Sequence, residues 1–190
     1  MNPQISDEEL MAGVQAGRRD AFDQIYARWS PTVFRFLMRR TGARQNAEEA
    51  LSETFLRLYR SRAAYDPARP FRPWLYTLAS RSGVDAVRAE RHGFHLALDD
   101  LHPGVRERVL ARDAEAAEGQ AARPDQRAEL LDLMLAALRE LGAKDRQIFL
   151  LSLEGFNASE IAEVLGMNPA AVRKRLSRLR ADLARSLNVH

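Results

Sequence analysis

The residues best suited to chemistry with a charged partner lie near the end of the chain, in NPAAVRKRLSRLRADLARS, residues 168–186. This stretch carries six basic side chains and one acidic side chain. At about 100° per residue, its apolar residues fall on one side of a helix, and small residues with long cations fall on the other. Such a face suits the major groove of DNA, because Ala and Ser allow close approach while Arg and Lys reach bases or phosphates. The candidate DNA-binding residues are Arg173, Lys174, Arg175, Ser177 and Arg178.

The residues before this helix have the turn chemistry of a helix-turn-helix motif. Asn157 followed by Glu160 predicts a capping box at the start of a short helix, and Gly166 predicts its end. Asn168-Pro169 combines an N-cap with a proline at the first helical position. The alternative is a surface helix whose charges are merely solvated. We predict helices over 144–153, 158–165 and 169–187.

A second group combines arginines with aromatic residues in ARPFRPWLYTLASRSGVDAVR, residues 68–88. Rings stack on unpaired bases while guanidinium groups hold phosphates, so this composition suits single-stranded nucleic acid. The competing interpretation is structural, because aromatic residues at helical spacing usually belong to a core. Both interpretations stay open for Trp74 and Phe71, whereas Tyr76 is expected in the core. The candidate residues are Arg69, Phe71, Arg72, Trp74, Arg81 and Arg88.

A third segment, NAEEALSETFLRLYRSR, places Glu49, Glu53 and Arg57 along the exposed side of a predicted helix. This could be a face that docks on a partner. The charges alone favour a solvated face, because Glu and Arg four residues apart form favourable pairs on a helix surface.

The sequence does not predict catalysis or metal binding. It contains no convincing nucleophile–base pair, Gly-rich phosphate loop or carboxylate pair. The absence of cysteine removes thiolate ligands. His92, His95 and His102 lie in a segment without rigid helical spacing, and we expect them to be solvent-exposed rather than metal-bound. We therefore expect no enzymatic activity, no cofactor and no metal.

The composition predicts a folded cytoplasmic protein. The chain has 190 residues, of which 46% are hydrophobic and 29% charged. Residues 129–168 hold 3 basic and 7 acidic side chains, whereas residues 169–190 hold 6 basic and 1 acidic. No apolar run reaches the length of a membrane span, and the first residues lack a secretory signal pattern, so we expect neither membrane insertion nor export.

Helical periodicity covers almost every segment, which predicts an all-α protein of two small helical domains joined by a flexible linker. The linker is expected where Gly, Pro and mixed charges replace the apolar pattern. The predicted boundaries are 5–93 for the first domain, 94–125 for the linker and 126–187 for the second domain.

Within the first domain, Ser6 with Glu9 predicts a capping box for the first helix. Pro31 is expected to break or kink the second helix, over 20–40. We expect Asn46 to cap a third helix running to residue 62. Pro73 is the expected first residue of a fourth helix that continues through the GVDAVRAERH stretch.

With these motifs in this order, the chain resembles the extracytoplasmic-function (ECF, group IV) sigma factors of the sigma-70 family. The stretches NAEEALSETFLRLYR and FRPWLYTLASRSGVDAVR resemble region 2 of that family. The stretch ALRELGAKDRQIFLLSLEGFNASEIAEVLGMNPAAVRKRLSRLR resembles its region 4.

The resemblance implies a subunit that directs core RNA polymerase to promoters and is controlled by an anti-sigma factor. It implies that the first domain recognises and melts the −10 promoter element, and that the second reads the −35 element. It also implies that Glu49, Glu53 and Arg57 dock on the coiled coil of the largest polymerase subunit, with a further polymerase contact at the flap.

The same helix-turn-helix pattern also occurs in dimeric repressors with an N-terminal ligand or dimerisation domain. This alternative predicts tight binding to a palindrome without polymerase and a ligand pocket in the first domain. The cations of ARPFRP disfavour such a pocket.

Overall fold

The computed structural model describes residues 5–82, called here the N-terminal half, and residues 141–188, called the C-terminal half. Both ranges are helical, and neither contains a β-strand. The all-α prediction is therefore confirmed; the predicted linker lies outside the described residues. The helices are α1 (Asp7–Gln15), α2 (Arg19–Thr41), α3 (Arg44–Arg60), α4 (Phe71–Arg81), α5 (Ala143–Leu153), α6 (Ala158–Leu165) and α7 (Pro169–Asn188), with a 3₁₀ turn at Arg62–Ala64.

The first helix begins with the predicted capping box. The Ser6 hydroxyl accepts from the Glu9 backbone N–H at 3.1 Å, and the Glu9 carboxylate accepts from the Ser6 N–H at 2.9 Å. Two backbone donors that a helix start leaves unpaired are thereby satisfied.

We predicted a break or a kink at Pro31; helix α2 continues through this residue, so the break is wrong. Proline inside a helix removes one hydrogen bond and costs about 3 kcal/mol. Pro31 itself is exposed, while Ile25, Val33 and Phe36 of the same helix are fully buried. Burial of this stripe against α1 and α3 offsets the cost.

Helix α3 starts two residues before the predicted Asn46 cap. Gly42 ends α2 in the left-handed conformation, with φ of 67°, and the chain re-enters a helix at once with Ala43 as its N-cap. Asn46 lies inside α3 and is buried. The left-handed glycine, rather than a capping side chain, sets the start of α3.

Contacts with other helices determine both ends of α4. It begins at Phe71 instead of Pro73, because the Glu8 carboxylate of α1 accepts from the Phe71 N–H at 2.9 Å. It ends at Arg81, where Arg57 of α3 donates to the Arg81 carbonyl at 2.7 Å. Ser82 is extended, and the rest of the predicted long helix lies outside the described residues.

The C-terminal half has the predicted helix-turn-helix geometry. The Asn157 side chain accepts from the N–H groups of Ser159 and Glu160, and Gly166 ends α6 with φ of 62°. The predicted apolar stripe of α7 is confirmed where its side chains are described, because Val172, Leu176 and Leu179 are all buried.

The two halves are in contact in this structure. Helix α4 packs against α6, and α2 packs against α5. This contact covers one face of α4, whereas the basic face of α7 remains exposed.

We predict that Gly13→Ala destabilises the fold by about 1–3 kcal/mol, the usual cost of overpacking. A Cβ at position 13 would lie 2.8 Å from the Cβ of the buried Ala21, where α1 crosses α2. Urea unfolding followed by circular dichroism measures the effect.

The matched control is Ala12→Ser, which also adds one atom to α1, but at an exposed position. It should change the free energy of unfolding by less than about 0.5 kcal/mol. Equal stability of the Gly13→Ala variant and the parent would contradict the tight α1–α2 contact.

Candidate nucleic-acid interface

Burial of the apolar stripe determines which side of α7 faces solvent. The side chains of Val172, Leu176 and Leu179 pack into the core of the C-terminal half. The predicted DNA-binding residues therefore project outward. Arg173, Lys174, Ser177 and Arg178 are exposed, and Arg175 is half-buried.

An acidic residue that the sequence analysis did not single out holds two of these arginines in place. Asp145, in the first turn of α5, accepts from Arg175 Nη1 at 2.6 Å and from Arg178 Nη2 at 3.0 Å. The Asp145 side chain is only 16% exposed, and of its two partners Arg175 is the less exposed, so the contact with Arg175 is the less screened by solvent. Asp145 lies thirty or more residues before these arginines in the sequence, so no local pattern predicts this contact.

The arginines at the start of α4 contact the C-terminal half. Arg69 is exposed and forms an ion pair with Glu163 of α6. Arg72 donates to the backbone carbonyl of Glu154, and its guanidinium lies 4.2 Å from the centroid of the Phe156 ring. Carboxylate, carbonyl and aromatic groups of the C-terminal half therefore contact both cations here.

The structure corrects one residue of the predicted single-strand surface. Phe71 is fully buried, and its ring lies 5.9 Å from Trp29 and 6.0 Å from Tyr65 between centroids. A ring in this core cannot stack on a base. Trp74 is half-buried, with its ring 4.9 Å from that of Tyr65. Tyr76 is in the core, as predicted.

Arg81 is exposed at the end of α4, whereas Arg88 lies outside the described residues. On α3, Glu49 is exposed and Glu53 accepts from Arg57 Nε at 2.6 Å, four residues along the helix. Because Arg57 also binds the Arg81 carbonyl, the predicted docking face and the predicted single-strand surface meet at this point.

A buried carboxylate lies where the two halves meet. Glu154, at the end of α5, is only 5% exposed. It forms an ion pair with Arg39 of α2 and accepts from the Tyr76 hydroxyl of α4 at 2.8 Å. Burial raises the pKa of Tyr76 to about 12, so the phenol remains a donor at neutral pH. No local sequence pattern predicted this cluster.

An apolar groove of about 500 Å³ lies between α2 and α3, on the N-terminal half. Its lining includes three exposed large side chains, Tyr26, Leu56 and Tyr59. Ser52 and Phe55 of α3 also line the groove, and Ser52 is adjacent in sequence to Glu53.

Within the described ranges, no group of three or more His, Asp or Glu side chains is arranged to hold a metal ion. His92, His95 and His102 lie outside those ranges. Among the helices described, none combines the length and the apolar character needed to cross a bilayer.

Two protein-family models match the chain. The model for sigma-70 region 2 matches residues 25–93, and the model for sigma-70 region 4 matches residues 131–183. Together they cover more than half of the sequence, in the order in which the two halves occur.

Several curated relatives are RNA polymerase sigma factors. The RNA polymerase sigma factor CarQ of Myxococcus xanthus is 34% identical over 163 residues, covering 85% of this chain and 86% of CarQ. The ECF sigma factor BldN of Streptomyces coelicolor is 31% identical, covering 94% of this chain and 65% of BldN. The sigma factor CnrH of Cupriavidus metallidurans is 28% identical over 99% of this chain and 97% of CnrH.

Two solved structures share the fold. CnrH in complex with the cytosolic domain of CnrY has a TM-score of 0.63 at 24% identity, covering 96% of this chain and 97% of that chain. The sigma factor RpoE in complex with the anti-sigma factor NepR, from Bartonella quintana, has a TM-score of 0.56 at 18% identity. It covers 88% of this chain and 97% of that chain.

We predict that Asp145→Asn reduces the DNA specificity of the chain about threefold to tenfold, part of the loss expected for one base contact. Without the carboxylate, Arg175 and Arg178 lose their fixed orientation, while the more positive surface strengthens non-specific binding. The measurement compares the affinity for a duplex selected from a random pool with the affinity for the pool itself.

Asp23→Asn makes the same charge change on the exposed side of α2 and serves as the control. It should leave the ratio of the two affinities unchanged. An unaltered ratio in Asp145→Asn as well would show that the carboxylate does not orient the arginines for reading.

Proposed function

Because the chain belongs to the extracytoplasmic-function group of the sigma-70 family of RNA polymerase sigma factors, we propose that its two halves read two spaced promoter elements for core polymerase. Sigma factors are initiation subunits without a catalytic activity of their own. One observation carries the proposal: a region 2 match precedes a region 4 match whose last helix presents an exposed basic face.

We assign reading of the −35 element to α7. Its buried stripe leaves a solvent-facing row in which the long cations flank Ser177. Arginine and lysine donate to guanine in the major groove, and a serine hydroxyl can contact several bases. The proposed contacts are Arg173, Lys174, Arg175, Ser177 and Arg178.

We assign reading of the −10 element to the start and the exposed side of α4. Arg69, Arg72 and Arg81 supply cations for the backbone of a melted strand, and the half-buried Trp74 is the ring available for stacking. Arg88 is included from the sequence pattern. Phe71 is excluded, because its ring belongs to the core.

The proposed polymerase contact is the face of α3 that carries Glu49, Glu53 and Arg57. We propose that it meets the coiled coil of the largest subunit, with a second contact between region 4 and the flap. The neighbouring apolar groove with Tyr26 and Leu56 supports this assignment, because an exposed apolar patch beside charged residues is typical of an interaction surface.

We further propose that this protein is cytoplasmic and that an anti-sigma factor controls it. The support is that a solved fold relative, RpoE, is bound to the anti-sigma factor NepR.

Two small modules on one chain also gain affinity when polymerase holds both on promoter DNA, since the second contact is then intramolecular.

We predict that Lys174→Ala and Arg178→Ala each weaken promoter binding by about 1–3 kcal/mol if the side chain reads a base. The measurement is binding of the holoenzyme to a promoter found by run-off transcription, compared with the same promoter with a scrambled −35 element. A base contact weakens only the native promoter, whereas a phosphate contact weakens both.

Ala143→Ser, an exposed change outside α7, is the control and should bind like the parent. Parent-like binding by both the Lys174→Ala and the Arg178→Ala variants would contradict the proposed orientation of α7 on DNA.

We predict that Glu53→Arg weakens association with core polymerase at least tenfold. The substitution reverses a charge at the centre of the proposed docking face, where like charges at an interface cost several kcal/mol. Fluorescence anisotropy of the labelled chain titrated with core polymerase measures the dissociation constant.

The control is Glu48→Arg, which makes the same charge reversal on α3. Glu48 lies about 100° around the helix axis from Glu49, a member of the proposed docking face. Its exposed pair with Arg44 contributes little to stability, so it should bind as the parent does. Equal losses in both variants would point to overall charge rather than to this face.

A further inference from the structure

We propose that Gln15, the last residue of α1, is a positioning residue for reading of the −10 element. It holds residues 61–70, called here the connecting loop, in the shape that presents Arg69 and Trp74 to a melted strand. This inference rests on the proposed function, in which Arg69 and Trp74 belong to the −10 surface. It gives α1 a part in reading that the proposed function does not include.

The Gln15 side chain ties the connecting loop to α1. Its Nε2 atom donates to the Arg62 carbonyl at 2.9 Å and to the Tyr65 carbonyl at 2.7 Å, although these residues lie 47 and 50 positions away in the sequence. Arg62 is the first residue of the 3₁₀ turn, and Tyr65 is the residue that follows it. A primary amide suits this task, because one nitrogen carries two N–H donors. The half-buried amide therefore holds both ends of the turn against α1.

A second contact from α1 holds the far end of the connecting loop. Glu8 lies seven residues before Gln15, so the two side chains share one face of α1 and are about 10 Å apart along its axis. The Glu8 carboxylate accepts from the N–H of Phe71, the residue that follows the loop. One face of α1 thus holds the connecting loop near its start and at its end.

Tyr65 transmits the position of Gln15 to the −10 surface. The Tyr65 side chain is buried, and its ring lies 4.9 Å from that of Trp74 between centroids. Its hydroxyl donates to the Arg69 carbonyl at 2.7 Å. Burial raises the pKa of Tyr65 to about 12, so the phenol remains a donor at neutral pH. Because Gln15 binds the backbone carbonyl of the same residue, loss of the amide releases the anchor of both Arg69 and Trp74.

The exposed part of the connecting loop is a tight turn that does not place itself. The Asp66 carbonyl accepts from the Arg69 N–H at 3.0 Å, and its side chain accepts from the Ala68 N–H at 3.0 Å. Pro67 occupies the second position of this turn, where its fixed φ is favoured. Residues 66–69 therefore keep their own shape, and the direction in which they project depends on the anchored Tyr65 before them.

The alternative is that Gln15 only stabilises the N-terminal half. Its loss would then lower every activity in parallel, in proportion to the folded fraction. A positioning role predicts a split instead. Only chains whose connecting loop has the competent shape capture the strand, so the rate of promoter melting falls with that fraction. The proposed polymerase face on α3 does not include the loop, and its affinity for core polymerase should be retained.

The test uses holoenzyme formed from core polymerase and the full chain. A promoter mapped by run-off transcription carries 2-aminopurine within its −10 element, and the rise in fluorescence at saturating holoenzyme gives the melting rate constant. Anisotropy of the labelled chain gives its affinity for core polymerase. Gln15→Met removes both donors without a change of charge, whereas Gln15→Lys keeps a donor. Gln24→Met is the matched control, at an exposed position of α2.

Gln15→Met should lower the melting rate constant about tenfold, as expected when hydrogen bonds that hold the competent shape are lost. Its affinity for core polymerase should stay within about twofold of the parent. Gln15→Lys should restore most of the melting rate, since an ammonium group donates to both carbonyls. Gln24→Met should change neither quantity.

Parent-like melting by Gln15→Met would overturn the proposal. So would equal losses of melting in Gln15→Met and Gln15→Lys, because donation would then be irrelevant. A loss of melting in Gln15→Met that is matched by an equal loss of core affinity would show a structural role only.

Arg69→Gln and Trp74→Leu test the proposed function separately. Parent-like melting by both variants would overturn the −10 assignment itself, and with it the route through Tyr65. Slowed melting by both, together with parent-like melting by Gln15→Met, would overturn the positioning role alone. The two failures are thus distinguishable.

Discussion

Burial of the apolar stripe on α7 is the constraint on which the rest of the C-terminal half depends. Val172, Leu176 and Leu179 pack into its core, and each contributes about 1.5–3 kcal/mol when removed from water. Rotation of α7 about its axis would expose these residues. The helix therefore has one stable orientation, with Lys174 and Arg178 outward. Asp145 then restricts the conformation of the Arg178 side chain, which the orientation of the helix alone does not fix.

The N-terminal half is constrained differently, because its proposed DNA surface and its proposed polymerase surface lie on the adjoining helices α3 and α4. Arg57 links them by pairing with Glu53 and binding the Arg81 carbonyl. The same arginine terminates α4. Polymerase docking and strand binding thus act on neighbouring groups, and Glu154 adds a third demand on α4 from the C-terminal half.

Local patterns predicted the features that depend on local chemistry. The capping boxes at Ser6 and Asn157, the left-handed Gly166 and the buried stripe of α7 all follow from residues within one or two turns. The family resemblance likewise rests on the order of such segments. Apart from the start of α3, which the adjacent Gly42 sets, the predictions that failed required knowledge of contacts beyond the local sequence.

The start of α4 is one such case, since the Glu8 carboxylate that accepts from the Phe71 N–H belongs to α1. Phe71 itself was compatible with stacking or with a core, and only the rings of Trp29 and Tyr65 around it decide between them. Asp145 and Glu154 carry no local signal, because their partners lie on other helices. At Pro31, burial of the neighbouring apolar residues of α2 outweighs the tendency of proline to end a helix.

The most direct test of the central claim is run-off transcription from genomic fragments by core polymerase with and without the full chain, with start sites mapped by sequencing. The account predicts transcripts that need both components and start sites preceded by two shared motifs at a constant spacing. Start sites independent of the chain, together with tight binding of a chain dimer to a palindrome in the absence of polymerase, would contradict it.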